Sequence, residues 1–409
     1  MIQIVSIPLL LTFFKVETYA IWLLSYNIAQ ISGLLDFGSI AYSQHKLSDL
    51  NAQRRIPEIE SHLKQVINIL ALNFVFFLGV ITLIEILRIK NLNTPLISIF
   101  VCLFFLQSLW GLLEALTRFD SKISTGLYTS NALRLGEFLG TMIGVILFSD
   151  SLIEVGLVTL FLKLMTFVFL LRKLASRYRF LIFGRVNLSH IVSILKGSFP
   201  FFLIKMADTI YLSGFLIVLH GKVSNGQFVL FVALRTFFRL GLQVTSLISH
   251  SYAYEMSSIW VKRDLKSMQN LISSSNKVNF LFSCAGFFAY FLFGKYLFML
   301  WVDTNIFFDN KLIACGACYS FILSLSQNQK TKFYAINHGL LISIIQIAFS
   351  STLVLFISLS SFHFSVIDLF ILLSIFELFC FITVAVTTRD SIQHYFESSD
   401  IFNSRKEIM

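Results

Sequence analysis

The chain has 409 residues, 56% of them hydrophobic and only 13% charged, with a formal net charge of +10. A mean hydropathy of +0.79 and 46 phenylalanines exclude a soluble globular domain and describe an all-α, polytopic membrane protein. The positive balance does not point to nucleic acid, because Lys and Arg lie in short loops between apolar runs rather than on one polar domain.

Twelve apolar segments follow one another, at about 1–14, 19–43, 65–88, 95–117, 123–148, 151–171, 191–219, 226–250, 276–301, 309–328, 334–359 and 363–388. Most are long enough to cross a bilayer, which takes ~20 helical residues. The first is short: a helix of that length spans ~21 Å of a ~30 Å hydrocarbon core, so the reading predicts a truncated first helix that begins upstream of Met1. It carries no small-residue cleavage site and leads directly into a second apolar run, unlike a signal peptide.

The loops set the orientation. Lys46, Arg54, Arg55 and Lys64, then Arg118 and Lys122, Arg172 to Arg185, Lys262 to Lys277, Lys330 and Lys332, and the tail from Arg389 all fall on one side. The other side carries only Lys15, Arg88, Lys90, Lys222, Lys295 and Lys311. The positive-inside rule then predicts a multi-pass protein with both termini cytoplasmic. No loop is long enough to fold as an independent domain, which needs ~50 residues, so any activity belongs to the helices.

A weak repeat divides the chain. PLLLTFFKVETYAIWLLSYNIAQ around Lys15 is similar to FLIVLHGKVSNGQFVLFVALRTFFRL around Lys222: an apolar run, a Lys-Val turn, and a second run with an aromatic near its start. With six helices in each half, this predicts two lobes related by a parallel pseudo-two-fold axis. The expected limits are an N-terminal lobe over 1–175, a basic cytoplasmic linker over 176–190, a C-terminal lobe over 191–388 and a tail over 389–409.

Charges at membrane depth are the candidate functional residues, since each costs at least ~2.5–3.5 kcal/mol on insertion scales and is retained where it has a partner or lines a polar cavity. Arg235 and Arg239 are four apart, on one helix face, with no acid three or four residues away. Guanidinium forks of this kind suit phosphate. Lys163 has no local acid and leans towards a cavity. Lys205 with Asp208, and Arg134 with Glu137, stand at i and i+3, so each pair is either a local ion pair or part of the site. Glu114 sits at a helix end, where an interfacial charge is ordinary. Asp36 reads as a cap or loop contact. Glu377, alone in an apolar run, is either a coupling site for H+ or Na+ or a protonated packing group. The five cysteines include Cys315 and Cys318, but this C-x-x-C lies in an apolar helix without a second Cys or His cluster and reads as small buried side chains. No metal site or other cofactor is expected.

The stretch IPLLLTFFKVETYAIWLLSYNIAQISGLLDFG, with Tyr19, Trp22 and Leu35-Asp36-Phe37-Gly38, resembles the N-terminal signature of Wzx-type polysaccharide and O-antigen flippases. FVLFVALRTFFRLGLQ at 228–243 resembles their eighth helix, with Arg235-Thr236 and Gln243 in place. These transporters belong to the multidrug/oligosaccharidyl-lipid/polysaccharide exporter superfamily, built of two six-helix lobes. The resemblance implies translocation of undecaprenyl-diphosphate-linked oligosaccharide across a bacterial inner membrane for O-antigen or capsular polysaccharide, by a protein that is not an enzyme. Other polysaccharide-assembly proteins are possible partners.

The residues agree with part of that. A buried phosphate anion needs partners, and Arg134, Lys163, Lys205, Arg235 and Arg239 against Glu114, Glu137 and Asp208 predict a net cationic cavity between the lobes. The alternatives are a drug or cation antiporter of the same superfamily, which would need acidic residues in its cavity, and a polytopic O-antigen polymerase, which resembles this chain less for want of a large outer loop.

Overall fold

The computed structural model describes residues 2–52, 55–87, 93–119, 123–175, 187–262, 264–302, 309–335 and 339–407. Among them the chain is helical and contains no strand. In chain order the helices are α1 (Ile2–Phe13), α2 (Val16–Gln30), α3 (Ser39–Ala52), α4 (Ile56–Ile86), α5 (Thr94–Phe119), α6 (Ile123–Leu147), α7 (Leu152–Ala175), α8 (Leu188–Thr209), α9 (Phe215–His220), α10 (Asn225–Lys262), α11 (Leu265–Trp301), α12 (Asn310–Ala335), α13 (Gly339–Leu359) and α14 (Val366–Glu407). A 3-10 turn, Ile31–Asp36, separates α2 from α3, and a π-helical segment, Ile210–Gly214, separates α8 from α9. Among the described residues fourteen α-helices therefore account for twelve apolar segments, because the second and seventh are broken. The all-α, polytopic architecture follows.

Eight helices among the described residues are long and apolar enough to cross a membrane, and much of their surface faces outward. On α11, Leu281, Phe288, Leu292 and Leu300 are exposed. In water such a surface would be unfavourable; against lipid it is the expected exterior.

The chain forms two compact units, Met1–Gly221 and Lys222–Met409. In the first, Trp110 of α5 is fully buried and meets Phe167 of α7 edge-on at 5.7 Å. Leu63, Val66 and Leu70 of α4 extend that core. α6 and α7 approach closely because Gly136, Gly140 and Gly144 recur every fourth residue; a Cβ on Gly140 would lie 2.7 Å from Thr159 Cα. In the second unit an aromatic core forms around Phe237, Phe238, Tyr290 and Phe370, with Phe238 5.5 Å from Phe370. Asp264 caps α11 by accepting the Ser267 N–H at 3.0 Å.

α8 and α9 pack within the first unit, on α2, α3 and α4. Of the expected basic linker over 176–190, residues 176–186 lie outside those described.

Candidate functional site

The Leu35-Asp36-Phe37-Gly38 signature is a turn built for close approach to α8. Phe37 and Gly38 both have left-handed backbone, at φ 47° and 71°. A Cβ on Gly38 would lie 2.5 Å from Phe202 N and 2.7 Å from Ser198 O, so only glycine fits between the turn and α8. Asp36, 4% exposed, closes the turn by accepting the Gly38 N–H at 2.9 Å through Oδ1. Its Oδ2 accepts Lys205 Nζ at 2.8 Å.

This partner of Lys205 is one that the i, i+3 spacing of Lys205 and Asp208 does not announce. Asp208 is exposed, while the Lys205 ammonium reaches the deeply buried Asp36. Asp36 also lines a small open cleft together with Ser32, Asn73, Ser108 and the rings of Phe74, Phe77 and Phe105. Just beyond Asp208 the helix opens into the π segment, where Ser213 donates to Gln30 at 2.8 Å.

Lys163 is also committed, contrary to the expectation of a free cation. It is 2% exposed and its Nζ donates to Glu137 Oε2 at 2.6 Å. The glycine stripe of α6 explains the geometry: with the two backbones in contact, Glu137, one residue after Gly136, faces α7 at the level of Lys163. Glu137 is thereby taken from Arg134, which is exposed and makes no hydrogen bond or ion pair among the described residues. Glu114 is half-buried on α5.

In the second unit Arg235 is 4% exposed and Arg239, one turn on, is half-buried. Among the described residues Arg239 forms no hydrogen bond or ion pair. Two hydroxyls reach the α10 backbone beside it. The Tyr290 hydroxyl donates to Phe237 O at 3.0 Å and accepts the Gly241 N–H at 2.8 Å, while Ser320 donates to Phe238 O at 2.7 Å. Hydroxyls inserted into a helix ladder are a recognised cause of local bending. Glu377 is not isolated: Lys330 of α12 donates to it at 3.5 Å, with both side chains buried.

Each of the carboxylates Asp36, Glu137 and Glu377 is thus engaged by a lysine, and Arg134 and Arg239 are the candidate cations without a commitment among the described residues. Lys330 and Tyr290 were not singled out by the sequence. Lys330 reads as one of many positive-inside loop charges, and a tyrosine in an aromatic-rich helix carries no signal of its own. Among the described residues there is no cluster of three or more His, Cys, Asp or Glu that could hold a metal ion.

No family model and no curated protein matches the chain. Solved structures do. An inward-facing multidrug resistance MATE family transporter of the MOP superfamily aligns with a TM-score of 0.75 at 11% identity, covering 97% of this chain and 96% of that one. The chain has the fold of these transporters. The outward-facing conformation of a multidrug resistance MATE family transporter aligns at 0.58 with 13% identity, over 97% of this chain and 96% of that one. A MOP superfamily transporter from Pyrococcus furiosus, in which reversed polarity of the binding pocket suggested a different function, aligns at 0.61 with 13% identity over 96% and 95%. The twelve-segment, all-α reading agrees with this likeness.

Proposed function

We propose that this chain transports an anionic amphiphile, an undecaprenyl-diphosphate-linked oligosaccharide, across a bacterial inner membrane by alternating access, with both termini cytoplasmic and two six-helix halves as the moving parts. The fold supports transport, since the structures it resembles are named as transporters in inward- and outward-facing states. The choice of an anion rests on one observation: lysines occupy Asp36, Glu137 and Glu377, whereas Arg134 and Arg239 remain uncommitted among the described residues. A cation exporter needs accessible carboxylates; a diphosphate needs accessible guanidinium groups. Arg239, with Arg235 one turn away, is the proposed anchor for the head group, and Arg134 a second contact. Lys163 and Lys205 serve as charge partners in this reading. Glu377, held by Lys330, is the remaining candidate for H+ or Na+ coupling.

Deleting the gene and profiling surface glycan together with membrane-bound lipid-linked oligosaccharide tests this. Loss of surface glycan with complete repeat units trapped in the inner leaflet is the expected result. Repeat units that reach the outer surface unjoined would identify a polymerase instead. Unchanged glycan with altered drug sensitivity would identify the antiporter that the multidrug neighbours exemplify.

A further inference from the structure

Asn276 of α11 and the last turns of α12 hold a polar cluster unrelated to Arg235 and Arg239. Three nitrogen donors of α12 converge on a single oxygen. Asn328 Nδ2 reaches Asn276 Oδ1 at 3.3 Å, Gln329 Nε2 reaches it at 3.2 Å, and Lys332 Nζ contacts the same atom. The amide orientations are set by their other bonds. Asn328 Oδ1 accepts the hydroxyls of Ser249 at 3.1 Å and Ser275 at 3.2 Å, which leaves its NH2 facing Asn276. Gln329 Oε1 accepts Lys332 Nζ at 3.1 Å, which turns its own NH2 the same way.

An amide oxygen has two lone pairs and no net charge. Here it receives three donors, one of them an ammonium. Lys332 is 2% exposed, and among the described residues no carboxylate lies within ion-pair distance of it; the buried acid of this unit, Glu377, is held by Lys330. A buried cation without a counter-ion is costly. Asn276, by contrast, is exposed and stands at the lip of the cluster. We propose that Lys332, Gln329 and Asn328 form a phosphate-binding site in which Asn276 Oδ1 stands in for a phosphate oxygen. Rotation of the exposed Asn276 side chain vacates the position, and a phosphate oxygen then supplies the charge and the extra lone pair that the three donors lack. The phosphate group is carried either by a soluble compound or by a lipid headgroup. Asn276 opens the apolar segment 276–301, a level at which headgroups lie. This site stands independently of the transported substrate.

The test uses the purified full-length protein and the variants Asn276→Ala, Lys332→Gln and Lys332→Arg. Inorganic phosphate is titrated by calorimetry, and retention of phosphatidylglycerol is counted by native mass spectrometry. Asn276→Ala is expected to tighten binding, and Lys332→Gln to weaken it by about tenfold or more, the scale of one charge-assisted hydrogen bond. Lys332→Arg should keep most of it. A response of inorganic phosphate assigns the site to soluble phosphates, and a response of phosphatidylglycerol alone assigns it to headgroups. Binding of both probes that ignores Lys332, or that weakens in Asn276→Ala, overturns the proposal. If Lys332→Gln fails to fold, Asn276→Ala decides, because a gain in affinity cannot come from lost structure.

Discussion

Lys205 and Asp36, 169 residues apart in the chain, are joined by an ion pair at 2.8 Å that ties α8 to the turn before α3. Asp36 is 4% exposed while the Lys205 side chain is 38% exposed, so the two partners are not equivalent. Removing the lysine leaves a buried carboxylate whose remaining bond is the Gly38 N–H. Lys205→Ala should therefore destabilise the protein more than Asp36→Asn. In the double variant Lys205→Ala/Asp36→Asn part of the loss returns, with a coupling of about 0.5–3 kcal/mol towards the low end because Lys205 is partly solvated. Thermal unfolding in detergent reads this directly; additive losses would show that the pair does not act as a unit.

The outline of the fold was legible and the pairing of charges was not, for one physical reason. Apolar runs announce helices by length and period, so the twelve segments reappear as helices, extended by a few polar turns at ends such as Leu265–Asn276. The break at 31–38 falls inside 19–43, which reads as one apolar run; the reading of Asp36 as a cap or loop contact is the one hint of it. The π segment at 210–214 left no such mark. Ion pairs seen from sequence are those three or four residues apart, which suggested Lys205 with Asp208 and Arg134 with Glu137. Between helices the structure instead pairs Lys205 with Asp36 and Lys163 with Glu137, and adds Lys330 with Glu377, because a buried carboxylate takes the cation that packing delivers.

The Lys163–Glu137 pair should be the more costly to break from one side. Lys163 is 2% exposed, so Glu137→Gln leaves a buried ammonium without its carboxylate, a loss of about 3–5 kcal/mol for a buried pair. Replacing both, as Lys163→Met/Glu137→Leu, is expected to recover most of that stability, since an apolar pair of similar volume is often neutral. If the double variant transports as well as the parent, the pair is structural; a stable but inactive double variant would assign it a role in the transport cycle.

Gly140 tests the contact that places that pair. A side chain there would overlap Thr159 Cα at 2.7 Å, which is backbone and cannot swing aside. Gly140→Val should force α6 from α7 and cost about 1–3 kcal/mol or more. Gly79→Val, on α4 with nothing within 4 Å of its Cβ position, is the matched control and should leave the unfolding midpoint nearly unchanged. Equal effects at the two positions would contradict the close α6–α7 packing.

Tyr290 is bonded to the α10 backbone on both sides of Arg239. Its hydroxyl bridges Phe237 O and the Gly241 N–H, the two positions flanking Arg239 by two residues on either side. Tyr290→Phe keeps the ring and its packing on Phe237 and Phe238, with centroids 5.2 Å away in both cases, and removes only the bridge. Loss of a buried hydrogen-bonded hydroxyl costs about 1–3 kcal/mol. The more informative readout is activity. If the bridge holds the α10 backbone that carries Arg239, Tyr290→Phe lowers glycan export at constant protein level, and the double variant Tyr290→Phe/Arg239→Ala is no worse than Arg239→Ala alone. Ser320→Ala, which removes the neighbouring bond to Phe238 O, separates the ladder's general stability from the Tyr290 bridge. Were Ser320→Ala to reduce export as much as Tyr290→Phe, the effect would belong to α10 as a whole and Tyr290 would have no particular hold on Arg239.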